Sequence, residues 1–257
     1  HDMPDGVIYE GDYVEGRKHG KGRTIWPDGR VHQGEYRSGL RQGAGECVYP
    51  DGEMYEGMYA AGTRNGYGVV SWPDGEFYEG YWKDDKRDGK GKYHWADGGI
   101  YEGNFADGKV HGYGRNTWPD GRVYEGEHHH DLIHGYGKHV AANGESYEGE
   151  YRDGMRHGKG KFVSADGCMY EGEYANDVRC GRGTMTWPDG AQYKGEYLND
   201  ERQGFGEMVW HGGAHYSGRW EGDKMHGHGK IVLSNGHAGE CWQKLLLNDR
   251  LSAKTPE

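Results

Sequence analysis

Aliphatic bulk is scarce in this chain of 257 residues. Hydrophobic residues make up 33% and phenylalanine occurs four times. No stretch approaches the roughly 18 apolar residues of a membrane-crossing helix, and no apolar signal-peptide core opens the chain. A thick aliphatic interior is therefore not expected. Cysteine is equally sparse. Cys47, Cys168, Cys180 and Cys241 show no CxxC spacing, which argues against a disulfide framework and fits a reducing cytoplasmic setting. Positive charge is in deficit, with 31 Lys and Arg against 42 Asp and Glu, a net charge of −11. Long-range steering thus disfavours nucleic acid.

What is abundant is glycine, 50 residues, and tyrosine, 21 residues. Both fall on a strict period of 23. Blocks open at residues 9, 32, 55, 78, 101, 124, 147, 170, 193 and 216, always with tyrosine except for His32. The third, twelfth, fourteenth and twenty-first positions are glycine in all ten blocks, which accounts for 40 of the 50 glycines. Such a period signals a repeat architecture in which each unit packs on its neighbours. Rings at fixed intervals argue against disorder despite the glycine content.

The first block shows the logic. Tyr9-Glu10-Gly11-Asp12-Tyr13 alternates, so Tyr9, Gly11 and Tyr13 share one face of a strand. Gly20 to Trp26 does likewise, with Gly20, Gly22, Thr24 and Trp26 on one face. A polar, glycine-containing loop is expected between the two strands. Pro27-Asp28-Gly29, repeated at 50–52, 73–75, 119–121 and 188–190, supplies the turn to the next block. Rings at positions 1, 5 and 18 are expected to lie over glycines at positions 3, 12 and 14, because a flat ring needs a partner without a side chain. Position 5 is aromatic except at His128, and position 18 lapses at Ala141, Ser164 and Leu233, so the sheet is expected to loosen near blocks six and seven. Glu at positions 2 and 4 faces Lys or Arg at positions 13 and 15, giving cross-strand ion pairs of about 0.2–1 kcal/mol each. The expectation is all-β: an elongated single-layer antiparallel meander solenoid. About 20 strands at roughly 4.8 Å spacing would make a ribbon on the order of 100 Å long.

Tyr-Glu-Gly-Glu-Tyr, His-Gly-x-Gly and Trp-Pro-Asp-Gly in 23-residue units resemble the MORN repeat (membrane occupation and recognition nexus). The resemblance divides the chain into a lead-in at 1–8, ten MORN repeats at 9–238, and a partial repeat with a C-terminal cap at 237–257. The abrupt start is compatible with further repeats before residue 1. An all-repeat chain is similar to the MORN scaffolds of apicomplexan and kinetoplastid parasites. That similarity implies a non-enzymatic, cytoskeleton-associated structural protein of the basal complex or the hook-like structure, active in cell division and dimeric through its C-terminal repeats. The alternative is a module that binds phosphoinositide or another anionic membrane lipid.

Candidate sites follow from departures and ladders. Position 10 carries Lys18, Arg41, Arg64, Arg87, Arg156, Arg179 and Arg202, a cation ladder expected in the hairpin loops. It offers either a lipid or acidic-partner stripe or a set of solvated ion pairs. The His residues at position 11 are too widely spaced, roughly 10 Å from block to block, to share one metal. Two other groupings remain: His128-His129-His130, and the C-terminal His226, His228, His237 and Cys241, which could complete a zinc site across a dimer. The expected dimer interface is Trp220, His226, His228, His237, Cys241, Trp242, Leu245 and Leu246, within the most aliphatic patch of the chain (also Leu247 and Leu251). Unpaired sheet ends must be capped or paired, so the patch serves either as a self-cap or as such an interface. The Gly-x-Gly pairs lack the strand-loop-helix setting of a phosphate loop. No constellation of nucleophile and base stands out, and no cofactor is expected beyond that interfacial zinc.

Overall fold

A computed structural model describes residues 6–241, with side-chain placement through residue 239. The chain divides at Ala142/Asn143 into two compact units, one residue past Ala141, where the ring at position 18 first lapses. Unit 1 holds twelve strands, from β1 (Ile8–Val14) and β2 (Arg17–Ile25) to β12 (Leu132–Val140). Each pairs antiparallel with the next in sequence. Unit 2 repeats the scheme with nine strands, from β13 (Ser146–Arg152) to β21 (Ala238–Cys241). Among the described residues there is no helix, and the fold is an open all-β meander of stacked hairpins.

The hairpin connection is shorter than expected. Val14 pairs with Arg17, leaving only Glu15-Gly16 in the turn, and both have positive φ, 50° and 73°. That is the primed two-residue turn whose twist matches that of the strands. Ser38-Gly39, Asp84-Asp85, Asn176-Asp177 and Asn199-Asp200 repeat it. Consequently, the residues assigned to a loop from 14 to 19 lie mostly within strands.

The cause of the position-12 glycine also differs. Opposite position 4 the ladder slips: Gly80 pairs with Gly91, but Trp82 pairs with Arg87, so three residues oppose one. Glycine at this bulge takes positive φ, 95° at Gly89 and 59° at Gly158. It is not covered by a ring. A Cβ at Gly158, Gly181 or Gly204 would instead strike the carboxylate of Glu150, Glu173 or Glu196. These position-4 carboxylates accept the backbone N–H of position 13, at 2.9 Å from Lys159 and 3.0 Å from Arg182. Their role is to close the bulge, not to form the cross-strand ion pairs expected of them.

Positions 3 and 14 do carry the ring. A Cβ at Gly91 would sit 2.4 Å from the Tyr78 ring and hydroxyl, and one at Gly80 would sit 2.4 Å from the same hydroxyl. The tyrosine therefore lies flat across a glycine pair. Its hydroxyl donates to the position-4 carbonyl: Tyr78 to Tyr81 at 2.9 Å, Tyr124 to Glu127 at 2.9 Å, Tyr216 to Arg219 at 3.0 Å. This puts a donor at the slipped stretch of the ladder. The block tyrosines are buried, from 0 to 3% exposed.

Rings at positions 1 and 5 then form a herringbone within and between blocks. Tyr55, Tyr59, Tyr78, Trp82, Tyr101 and Phe105 meet edge to face at centroid separations of 5.0–5.5 Å. Each such pair is worth about 0.5–1.5 kcal/mol beyond burial. Tyr13, which has no earlier ring to lie against among the described residues, is 41% exposed.

Candidate functional site

Three features could act on something outside the core: the cation ladder, the face opposite the rings, and the C-terminal group. The ladder residues sit in strands, correcting the loop placement. Arg41 pairs with Tyr36 on the adjacent strand, and Arg202 pairs with Tyr197. From there each guanidinium reaches forward to the next block. Arg202 places Nε 2.9 Å from Asp223 Oδ1, donates through Nη2 to the Asp223 carbonyl at 2.9 Å, and lies 4.3 Å over the Trp220 ring. Arg156 with Asp177 and Arg179 with Asp200 repeat the fork. Where position 8 is glycine the carbonyl alone is used, by Arg41 to Gly62 and by Arg87 to Gly108. Arg64 pairs with Glu53 at 3.0 Å and covers Trp82 at 4.5 Å. Lys18 donates to Thr24 Oγ1 and lies 4.9 Å over Tyr9.

The aspartate also accepts the backbone N–H of position 10, at 2.8 Å for Arg64 to Asp85 and 2.9 Å for Val110 to Asp131. Partial burial works against the Asp200 carboxylate, yet the Arg179 backbone N–H, guanidinium and charge outweigh it and hold the group below its ordinary value. The arginines of the ladder are thus a set of inter-block clamps. Arg202→Met is expected to lower the urea midpoint by the equivalent of about 2 kcal/mol. The ion pair contributes under about 1 kcal/mol of this, because Asp223 is half exposed; the carbonyl bond and ring contact supply the rest. Arg202→Lys is expected to recover less than half, since an ammonium has no fork. Full recovery by lysine would show that charge alone mattered.

The opposite face carries shallow troughs. In unit 1 a concavity of about 650 Å³ has Gly80, Gly91, Gly103 and Gly114 on its floor. Tyr67, Tyr81 and Tyr113 stand exposed along one side, with Tyr67 directly opposite Tyr81. Glu79, Lys92, Glu102 and Arg115 line the other side, set opposite one another by the register. Unit 2 has a similar trough of about 500 Å³ over Gly183 and Gly195, flanked by Phe205.

Of the C-terminal group, Trp220 is 4% exposed and donates through Nε1 to the Gly206 carbonyl at 3.2 Å. Its ring packs within its own unit against Tyr193 and Tyr216, so little of it reaches the surface of this chain. His226 is exposed, with Nδ1 3.1 Å from Glu221. His228 and His237 are exposed. Cys241 lies on β21, opposite Gly229, with no side-chain placement. Trp242, Leu245, Leu246, Leu247 and Leu251 lie outside the described residues. His226, His228 and His237 do not gather. Among the described residues, the group whose ligand atoms lie close enough together to hold a metal ion is elsewhere, at His111, His129 and His130.

His128 is buried and does not join that cluster. It fills the ring position between Tyr101 and Tyr124, and Asn116 Nδ2 lies 2.8 Å from its Nε2. Burial pushes its pKa down, against the pull of nearby backbone. The sequence reading missed the position-8 aspartates. The signal was present: Arg64–Asp85, Arg156–Asp177, Arg179–Asp200 and Arg202–Asp223 all recur at a spacing of 21. No helix among the described residues is long and apolar enough to cross a membrane.

Stacked hairpins with clamped seams and an open, side-chain-lined face define a repeat-based scaffold or binding module. The MORN repeat model matches residues 9–29, 32–54, 55–77, 78–100, 101–121, 124–146, 147–169, 170–192, 193–215 and 216–238. The chain belongs to the MORN-repeat family, a family of structural and binding repeats and not of enzymes. Among solved structures it is similar to the wild-type TCP10 domain of Danio rerio CPAP in complex with a peptide of STIL, at 13% identity and TM-score 0.29, covering 92% of this chain and 99% of that one. The SAS-4 (dCPAP) TCP domain of Drosophila melanogaster with a proline-rich motif of Ana2 gives 10% identity and TM-score 0.27, covering 78% and 85%. A catalytically inactive virginiamycin B lyase from Staphylococcus aureus gives 12% and 0.16, covering 93% and 75%. These scores are too low to carry an argument. No curated protein matches the chain.

Proposed function

We propose that this protein is a non-enzymatic scaffold of a cytoplasmic, cytoskeleton-associated complex. It dimerises through its C-terminal repeats and holds cytoskeletal proteins on the face opposite its rings. The observation that carries this reading is the division of labour between the faces. One face spends its rings and arginines on holding blocks together. The other repeats a glycine-floored trough with exposed tyrosines and charges of both signs, a mixture suited to protein surfaces. Engagement of the guanidiniums by Asp and backbone carbonyls, together with the net charge of −11, weighs against an anionic-lipid stripe.

Sedimentation equilibrium is expected to give about twice the 28.9 kDa chain mass. Leu245→Glu with Leu246→Glu is expected to return the monomer. A wild-type monomer at micromolar concentration would remove dimerisation from the proposal. Vesicle co-sedimentation decides the lipid alternative: salt-sensitive binding to phosphoinositide vesicles, with no protein retained in pull-downs, would replace the scaffold reading.

A further inference from the structure

We infer that His111, His129 and His130 form a binding site for a borderline divalent transition ion, of which zinc is the type. The site lies within unit 1, distinct from the C-terminal group. One ligand nitrogen from each residue lies within 4.8 Å of the other two. His111 comes from β10 (Lys109–Thr117), His129 ends β11 (Val123–His129), and His130 opens the turn that follows. The Val110 N–H bond to Asp131 ties this turn back to β10 at 2.9 Å, so the framework brings all three imidazoles to one edge.

The other blocks show that the arrangement departs from the repeat rule. In four other blocks the position-11 side chain engages the turn of the next block. Gln42 Oε1 accepts the Ala61 N–H, Asn65 Nδ2 donates to Asp84 Oδ1, Asp88 Oδ2 accepts the Asp107 N–H, and Gln203 Oε1 accepts the Gly222 N–H. At His111, as at His157, Nδ1 is buried without a hydrogen-bond partner; what sets His111 apart is that the turn opposite it presents a second and a third imidazole, with ring centroids 5.2 and 5.3 Å away. Buried polar atoms are normally paired, and an exception calls for an explanation. The imidazoles gathered within 4.8 Å at this one seam allow that explanation to be a shared ion.

The donor set fixes the class of ion. Three neutral imidazoles suit Zn²⁺, Ni²⁺ or Cu²⁺ over Mg²⁺ or Ca²⁺, which take oxygen. Tetrahedral zinc with bonds of about 2.0–2.1 Å needs nitrogens roughly 3.3 Å apart. The His129 and His130 rings, stacked at 4.2 Å, must unstack to meet this. Both are exposed, so binding requires their rings to rotate about the side-chain bonds, and water supplies the fourth ligand.

The test is a Zn²⁺ titration of the full chain by calorimetry, compared with the double variant His111→Gln, His130→Asn. Each substitution copies another block: Gln42 and Gln203 at position 11, Asn176 and Asn199 at position 7. The hairpin is therefore expected to persist, checked by circular dichroism. The expected result is loss of one equivalent of Zn²⁺ in the variant, with equivalents bound elsewhere retained. Unchanged stoichiometry and affinity, or no Zn²⁺ uptake by the wild type, overturns the inference. Imidazole NMR of the wild type gives a reading independent of any variant: Zn²⁺ must shift His111, His129 and His130 together, and a titration that leaves them unmoved overturns it equally.

Discussion

Gly91→Ala is expected to cost about 3–5 kcal/mol and to unfold the blocks around it well before the rest of unit 1. Its added methyl would stand 2.4 Å from the Tyr78 ring, a contact nothing flexible can relieve, because the ring lies between its own glycine pair and the edges of Trp82 and Phe105. Overpacking of this kind costs about 1–3 kcal/mol. Displacing the ring also breaks the Tyr78 hydroxyl bond to the Tyr81 carbonyl, leaving a half-buried acceptor unpaired at a further cost of about 1–3 kcal/mol. Gly98→Ala is the control. Gly98 has φ of +92° and open space where a Cβ would stand, so its cost is conformational, about 1–2 kcal/mol. Urea melts followed by tyrosine and tryptophan fluorescence separate the two. Equal costs would mean that glycine serves both positions for backbone conformation and that the ring-over-glycine account is wrong.

His32→Tyr is expected to stabilise the protein, by about 1–3 kcal/mol at neutral pH. His32 is the one block-opening residue that is not tyrosine, and it is fully buried between Tyr36 and Tyr59. Neither ring nitrogen meets hydrogen-bond geometry. Tyrosine would remove both orphan atoms and offer a hydroxyl to the Glu35 carbonyl, as every other block does. A pH signature identifies the cause. Burial, with the charges of Arg41 and Lys18, pushes the His32 pKa down to about 4 from 6.5, although the Glu46 backbone offsets a part. The unfolded chain then binds the proton more readily than the folded one between those values. Stability is full above about pH 6.5 and is lost as pH falls toward 4, by up to about 3 kcal/mol. His32→Tyr is expected to flatten this loss and so to widen its advantage at pH 5. His128, His139 and His94 are also held low, chiefly by burial, so some acid sensitivity persists in the variant. A constant advantage from pH 7 to pH 5 would contradict a neutral, buried imidazole at position 32.

The parts of the fold legible in the sequence were those set by period and volume. Alternating Tyr, Gly and Tyr at a fixed 23-residue repeat gave the hairpins, the ring face and the fit of Tyr78 against Gly80 and Gly91. What was not legible depended on register slip. Alternation alone puts Gly89 on the ring face, but the bulge turns it toward position 4, so the glutamates at 150, 173 and 196 were assigned to ion pairs. The same slip lets two residues make the hairpin turn and moves Arg156, Arg179 and Arg202 into strands, where they can clamp. Asn-Asp at 176–177 and 199–200 carried the turn signal. His129 and His130 stood out as part of a run with His128, but their partner His111 escaped notice because it belongs to the preceding block and to a different periodic position.

The clamps join position 10 of one block to position 8 of the next, with no reference to which block either is. Excising residues 170–192 would place Arg156 ahead of Asp200 in the same relation it now has to Asp177. Gene duplication or loss in whole multiples of the unit therefore keeps position 10 in step with position 8 at every seam, whereas a one-residue insertion within a strand would turn the rings of that strand outward. Selection can in this way adjust the number of blocks almost freely while forbidding any change in their size.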